Sequence, residues 1–119
     1  MNDPTTREQA YAAALDAARA HYAAGRLDTA FGQLERAHVL GQPELRRHWR
    51  VHAWMLRVAL RRRDAREIAG QLQRLALTPL GHLTGRLPLG NTGGANVDAF
   101  APMALPEDLA RYFRARDGK

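Results

Sequence analysis

Between Tyr11 and Arg74 the apolar residues recur at intervals of three and four, and only short glycine, proline or polar punctuation interrupts them. Segments of that length are marginal helices in isolation, and connectors of two or three residues cannot hold them apart. The helices must therefore fold back on one another. The first stripe is Tyr11, Ala14, Leu15, Ala18 and Tyr22. It starts near Pro4 behind Asp3 as a cap, or one step on at a Thr5-x-x-Glu8 capping box, and Gly25 ends it. Asp28 can cap a second helix with the stripe Leu27, Ala30, Phe31, Leu34, Ala37 and His38, closed by Gly41. Pro43 and Glu44 open a third that runs to about Arg63, with Leu45, His48, His52, Met55, Leu56 and Ala59 on one face. Asp64-x-x-Glu67 is the capping pair of a fourth. Thr78-Pro79 is expected to stop it, because proline lacks an N–H and disfavours helical geometry before it.

The fold expected is all-α and a single domain over residues 1–119. Two tandem antiparallel helical hairpins form a four-helix core at 1–79, a Gly/Pro-rich segment wraps it at 80–105, and a short helix occupies 106–116. The wrapping segment has no helical period. Its Leu83, Leu87, Leu89, Val97, Phe100 and Met103 are expected to pack down on the helices. Pro106, Glu107 and Asp108 then start the last helix, which carries Leu109, Tyr112 and Phe113. Gly32-Gln33-Leu34-Glu35-Arg36 returns as Gly70-Gln71-Leu72-Gln73-Arg74, a spacing close to that of tetratricopeptide-like (TPR-like) hairpin repeats.

The chain has no cysteine, so disulfides, thiolate catalysis and zinc-ribbon chemistry are excluded, and any metal would fall to His, Asp or Glu. The first twenty residues carry Asp3, Glu8 and Asp16 and lack the basic start and apolar run of a signal peptide. No run is long enough to span a bilayer, and the cytoplasm is the expected location.

Two short spacings suit a metal. Glu35-x-x-His38 lies on the second helix and His48-x-x-x-His52 on the third, and residues three or four apart share a helix face. Either spacing alone is weak, but the hairpin register joins them. Counting outward from Pro43, His38 and His48 are each five residues away, and Glu35 and His52 are eight and nine away. Four potential ligands thus meet as two rungs across helix axes roughly 8–10 Å apart. At about 100° per residue, His48 and His52 fall within the apolar stripe, and Arg46, Arg50, Arg57 and Arg61 project opposite. Three imidazoles near one carboxylate suit one divalent transition-metal ion of the zinc kind. The plainer alternative is that backbone, water or Glu35 satisfies these histidines and they only complete the core.

Gly90-Asn91-Thr92-Gly93-Gly94-Ala95-Asn96-Val97 is the most unusual string. Adjacent glycines allow positive φ, and successive N–H groups can cradle an anion, which makes Asn91, Thr92, Gly93, Gly94 and Asn96 candidate ligand-binding residues. It is not a phosphate loop, because no Gly-Lys-Ser/Thr follows and no strand precedes it. A tight structural turn, with Asn91 and Asn96 bonding to backbone, is the favoured reading.

Glu35-Arg36-Ala37-His38 with Leu40-Gly41-Gln42, His48-x-x-x-His52, Arg66-Glu67 with Gly70-Gln71, the Gly90–Val97 string, Pro102-Met103 and Pro106-x-Asp108-Leu109 together resemble a bacterial family, domain of unknown function 3703. The resemblance runs from about Ala17 to Leu109. It departs where the family has a Trp directly after the second histidine; here Ala53 precedes Trp54. It supplies no mechanism, but it implies that His38, His48, His52 and the glycine string belong together.

The net charge of +6 is concentrated between Glu44 and Arg74, where nine arginines face three acids. The stripe Arg46, Arg50, Arg57 and Arg61, flanked by Trp49 and Trp54, is a candidate face for an unidentified protein or other acidic partner. Nucleic acid is disfavoured because no recognition motif accompanies it. Metal binding through Glu35, His38, His48 and His52 is therefore the leading expectation. A TPR-like protein-interaction module with a basic face and core histidines is the alternative. An enzyme is the least supported reading, since no activated nucleophile or acid–base pair is evident.

Overall fold

A computed structural model describes residues 4–85, 90–98 and 101–117, with side chains as far as residue 113. Five helices appear, with no strand among the described residues: α1 (Arg7–Ala23), α2 (Leu27–Gly41), α3 (Leu45–Arg62), α4 (Ala65–Thr84) and α5 (Glu107–Asp117). Helices α1 and α2 form one hairpin and α3 and α4 the next, α2 packs on α3 between them, and α5 rests on α2. The chain is all-helical, as its periodicity requires. No described helix is long and apolar enough to cross a membrane.

The helix starts follow local chemistry with two corrections. Thr6, rather than Asp3 or Thr5, caps α1: its side chain accepts from Gln9, whose own side chain reaches back to the Thr6 N–H. Both bonds of the box are made by Thr6 and Gln9; Asp3 lies outside the described residues. Asp28 does not cap α2. It stands inside the first turn, where it meets Arg62 at 3.3 Å, and the cap position is Arg26, with no side-chain cap bond. Asp64 does cap α4, accepting from Glu67 N–H at 3.1 Å.

Leu34, Leu40, Val51, Met55, Val58 and Leu109 are fully buried and tie α2, α3 and α5 into one core. Gly41 lets α1 come close: a Cβ there would lie 2.6 Å from the Tyr11 ring, and the Tyr11 hydroxyl donates to the Arg47 carbonyl at 3.1 Å. Arg7 pins the same end, donating to the Leu40 carbonyl at 3.3 Å and to both carboxylate oxygens of Glu44.

The largest departure from expectation is at Pro79. Helix α4 does not stop there but runs through it to Thr84, so the helical part extends beyond residue 79. A proline within a helix leaves the carbonyl four residues back without its usual donor. That carbonyl belongs to Leu75, and the indole Nε1–H of Trp49 on α3 donates to it at 2.9 Å. A side chain 26 positions away thus replaces the missing backbone donor. Trp49→Phe keeps an aromatic ring and removes that bond, and is expected to lower stability by about 1–2 kcal/mol and to raise amide exchange from Leu80 to Thr84. Unchanged exchange at that end would show that the indole is not what carries α4 past Pro79.

The extension also changes the fate of the apolar residues beyond it. Leu83 is 84% exposed on α4 and Met103 is 38% exposed, so neither packs down as expected, whereas Val97 is half-buried. Leu87, Pro88, Leu89 and Phe100 lie outside the described residues. Residues 90–98 form ordered irregular structure against the helices. Gly90, at φ +83°, brings its N–H to Gln42 Oε1 at 3.1 Å, and a side chain on it would strike the Met103 carbonyl. The internal repeat does not extend to environment: Leu34 is fully buried where Leu72 is exposed, and Gln71 is fully buried where Gln33 is not.

Candidate metal centre

His38 projects from the buried face of α2, and His48 and His52 from that of α3. All three are within a few per cent of complete burial. The register counted from Pro43 brings His38 and His48 level, with their Nε2 atoms 3.0 Å apart. His52, one turn along α3, places its Nε2 3.1 Å from that of His38. One nitrogen from each ring lies within 4.8 Å of the other two.

The far side of each ring decides where its proton sits. His38 Nδ1 lies 2.6 Å from the Asn91 carbonyl, which can only accept, so Nδ1 carries the hydrogen. His52 Nδ1 lies 2.8 Å from Gln71 Oε1. The Gln71 amide cannot be reversed, because its Nε2 donates to Glu67 Oε2 at 2.7 Å and to the Gly93 carbonyl at 2.9 Å. His52 Nδ1 is therefore also a donor. The neutral forms of both rings then turn bare Nε2 lone pairs on each other at 3.1 Å, which is repulsive unless a cation joins them. His48 faces His38 from the third side. Its Nδ1 is 2.9 Å from His82 Nε2; with His82 accepting there, His48 Nε2 presents a third lone pair, and in the other tautomer it donates to His38 Nε2.

A proton is a poor choice for that cation. Burial, then the neighbouring His52 and His48, holds His38 well below the usual imidazole range, and its bond to Asn91 only partly opposes this. Burial, then His52 and His82, pushes His48 down to about 3. Burial pushes His52 down to about 4, opposed by its bond to Gln71 and helped by the Arg74 charge. Neutral imidazoles whose outer N–H groups are held by carbonyl or amide oxygens are the form that binds metal ions. A tetrahedral zinc site, with Zn–N of about 2.0–2.1 Å, separates its nitrogens by about 3.3–3.4 Å. The observed 3.0 and 3.1 Å are close to that span.

His82 was not among the candidates read from the sequence. It sits on the part of α4 beyond Pro79, and ending the helix at that proline removed it from view. A signal was present: Gln71, Arg74, Thr78 and Gly81 follow one another at helical spacing on the buried face of α4, and His82 continues that polar line. Glu35 is not brought into the cluster, and among the described residues no carboxylate oxygen belongs to the group of converging atoms. It is half-buried, and burial, followed by the charge of Glu67, raises its pKa. Glu67 acts at one remove. Its Oε2 holds the Gln71 amide that orients His52, and also accepts from Ala95 N–H at 3.0 Å.

The glycine string covers the centre. Asn91 is buried and bonded at every polar atom of its side chain: Nδ2 donates to the carbonyls of Asp98 and Ala101, and Oδ1 accepts from Gly93 N–H at 2.8 Å. With the N–H groups of Gly93 and Ala95 both taken, this conformation uses the string to hold His38 and Gln71. Asn96 is exposed and Thr92 half-buried. Gly93 adopts φ +90°, and a Cβ on it would stand 2.6 Å from the His38 ring. Gly93→Ala is therefore expected to destabilise the fold by about 2–4 kcal/mol, from left-handed strain and overpacking together. It should also shift the His38 ring resonances. A stability loss below 1 kcal/mol with unmoved resonances would show that the segment does not clamp His38.

The arginine stripe divides. Arg61 donates to the Tyr22 carbonyl at 2.7 Å and lies over the Tyr22 ring. Arg46, Arg50 and Arg57 instead line a groove of about 730 Å³, where Arg19 of α1 joins them.

A model of the family described as "Protein of unknown function (DUF3703)" matches residues 5–113, nearly the whole chain and the same family that its motifs resemble. No curated protein and no solved structure matches the chain.

Proposed function

The chain belongs to the DUF3703 family, and we propose that it is a metal-binding protein in which Nε2 of His38, His48 and His52 hold one divalent transition-metal ion of the zinc kind. The observation that carries this reading is the pair of fixed tautomers. Asn91 and Gln71 commit the Nδ1 hydrogens of His38 and His52 outward, leaving two lone pairs 3.1 Å apart in a buried site that resists protonation. Core histidines that merely needed partners would donate to each other, and these two cannot. With no cysteine in the chain, the donors are imidazole, which suits Zn²⁺, Cu²⁺, Ni²⁺ and Co²⁺. Glu67 and His82 are the outer partners, acting through Gln71 and on His48 Nδ1.

The test is elemental analysis with native mass spectrometry on tag-free protein purified without chelator. One ion per chain is expected, and none in a His38→Ala/His48→Ala/His52→Ala control. Metal-free wild-type protein that stays folded and refuses added Zn²⁺, Cu²⁺, Ni²⁺ and Co²⁺ would return the histidines to the core. Glu35→Gln addresses the fourth position. Unchanged affinity would mean that three nitrogens and a non-protein ligand suffice, and a large loss would make Glu35 a ligand once metal is present.

A further inference from the structure

The opposite face of α3 carries a second feature that the metal reading does not use. From Leu45 to Arg57 one edge of α3 runs beside Leu15 and Arg19 of α1, and Pro79 of α4 closes the floor, forming the 730 Å³ groove. Twelve residue steps of helix make it about 18 Å long, a little over three turns. The floor is apolar: Leu45 and Trp49 are 40% and 44% exposed, with Leu15, Trp54 and Pro79 beside them. Trp49 is fixed and has no donor to offer, since its indole N–H is committed to the Leu75 carbonyl. Trp54 is fixed too, edge-on to Tyr22 with the Arg57 guanidinium 4.4 Å from its ring centroid.

The rim is basic only. Arg19, Arg46, Arg50 and Arg57 line it and no carboxylate does. Among the described residues, Arg46, Arg50 and Arg57 form no salt bridge, and Arg19 reaches only Asp16, at 4.0 Å with both side chains largely exposed. Along α3 the three arginines stand at positions i, i+4 and i+11, and so share one edge of the helix.

We propose that this groove receives an acidic amphipathic helix of a partner protein, its aliphatic side chains on the Trp49–Trp54 floor and its carboxylates against Arg46, Arg50 and Arg57. Length, apolar floor and row of cations together match helix-in-groove recognition. A second copy of the chain fits poorly, because a two-fold contact would set arginine row against arginine row in a protein already at +6. A nucleic-acid strand would supply the negative charge. It would leave the aliphatic part of the floor, Leu15, Leu45 and Pro79, facing polar sugar and base edges.

The probe is a synthetic helical peptide of about 16 residues, with leucines at i, i+4, i+7 and i+11 flanked by glutamates. It is titrated against the full chain by tryptophan fluorescence and by peptide anisotropy. Binding is expected to weaken at least about tenfold in Arg46→Glu/Arg50→Glu/Arg57→Glu, and likewise when lysine replaces glutamate in the peptide. Ala53→Arg fills the floor while adding positive charge, so it should weaken binding if the groove is occupied and strengthen it if charge alone matters. Circular dichroism and thermal unfolding check that each variant is folded, and keep this test separate from that of the histidine centre. Equal binding of a composition-matched acidic peptide with its leucines scrambled would overturn the proposal. So would tighter binding of oligo-uridine RNA than of the amphipathic peptide, or no binding of either.

Discussion

His48→Ala and His52→Ala are each expected to weaken zinc binding by more than the roughly 10–100-fold that follows loss of a second-sphere partner, while the chain stays folded. Each removes one of three nitrogens that no other converging group replaces, since the described donor set is His38, His48 and His52 alone. The fold should survive because the α2–α3 contact rests on Leu34, Leu40, Val51, Met55 and Val58 as well as on the imidazoles. Loss of His52 also relieves its lone-pair opposition to His38, which offsets part of the cavity cost in the metal-free chain. Competition against a chromophoric chelator gives the affinities, and circular dichroism gives the fold. Gln71→Leu is the graded companion. It leaves all three imidazoles in place but takes the acceptor from His52 Nδ1, so a loss within about 10–100-fold is expected. Equal zinc affinity in wild type and both alanine variants would dispose of the centre altogether.

His48 and His52 together are expected to cost the metal-free chain on the order of 4 kcal/mol of stability between pH 7.5 and pH 5, and His38, also held low, adds to that loss. The sign follows from proton binding. In the unfolded chain His48 and His52 titrate near 6.5, whereas folding pushes them down to about 3 and about 4. Above pH 7 both states are neutral and these groups contribute nothing to the pH dependence. As pH falls through 6.5 the unfolded chain takes up protons that the folded chain refuses, so stability falls, and it continues to fall until the folded values are reached. At pH 5 each of the two histidines accounts for about 2 kcal/mol. Urea unfolding of chelator-treated protein at the two pH values measures this directly. The His48→Ala/His52→Ala variant should show a slope shallower by that amount. A wild-type chain equally stable at pH 5 and 7.5 would mean that the imidazoles are not held neutral in the fold.

The candidate centre was partly visible in the residues. His38 and His48 could be placed opposite each other by counting from Pro43, because a connector of three residues leaves an antiparallel hairpin almost no freedom of register. Placing Glu35 in the same set required more than spacing. Glu35 lies at the edge of the apolar stripe, half-buried and within reach of the Glu67 charge. Burial and Glu67 govern its carboxyl, and it does not join the imidazole nitrogens. The glycine string was recognisable as a turn with a purpose, but its length of chain from the histidines hid that purpose: Asn91 and Gly93 set the tautomer and close the face of His38 from more than fifty residues away.

By itself the sequence determined the helices and the hairpins, because a helix is made of bonds between residues four apart and its buried face repeats every three or four. Local punctuation such as Gly25, Gly41 and Asp64 was therefore sufficient to place most of the boundaries. Only the tertiary structure decided that α4 continues through Pro79. The cost of that proline is a carbonyl without a donor, and Trp49, on another helix, meets it. Beyond Pro79 the helix places His82 2.9 Å from His48 Nδ1. No rule confined to neighbouring residues can register a donor supplied from 26 positions away.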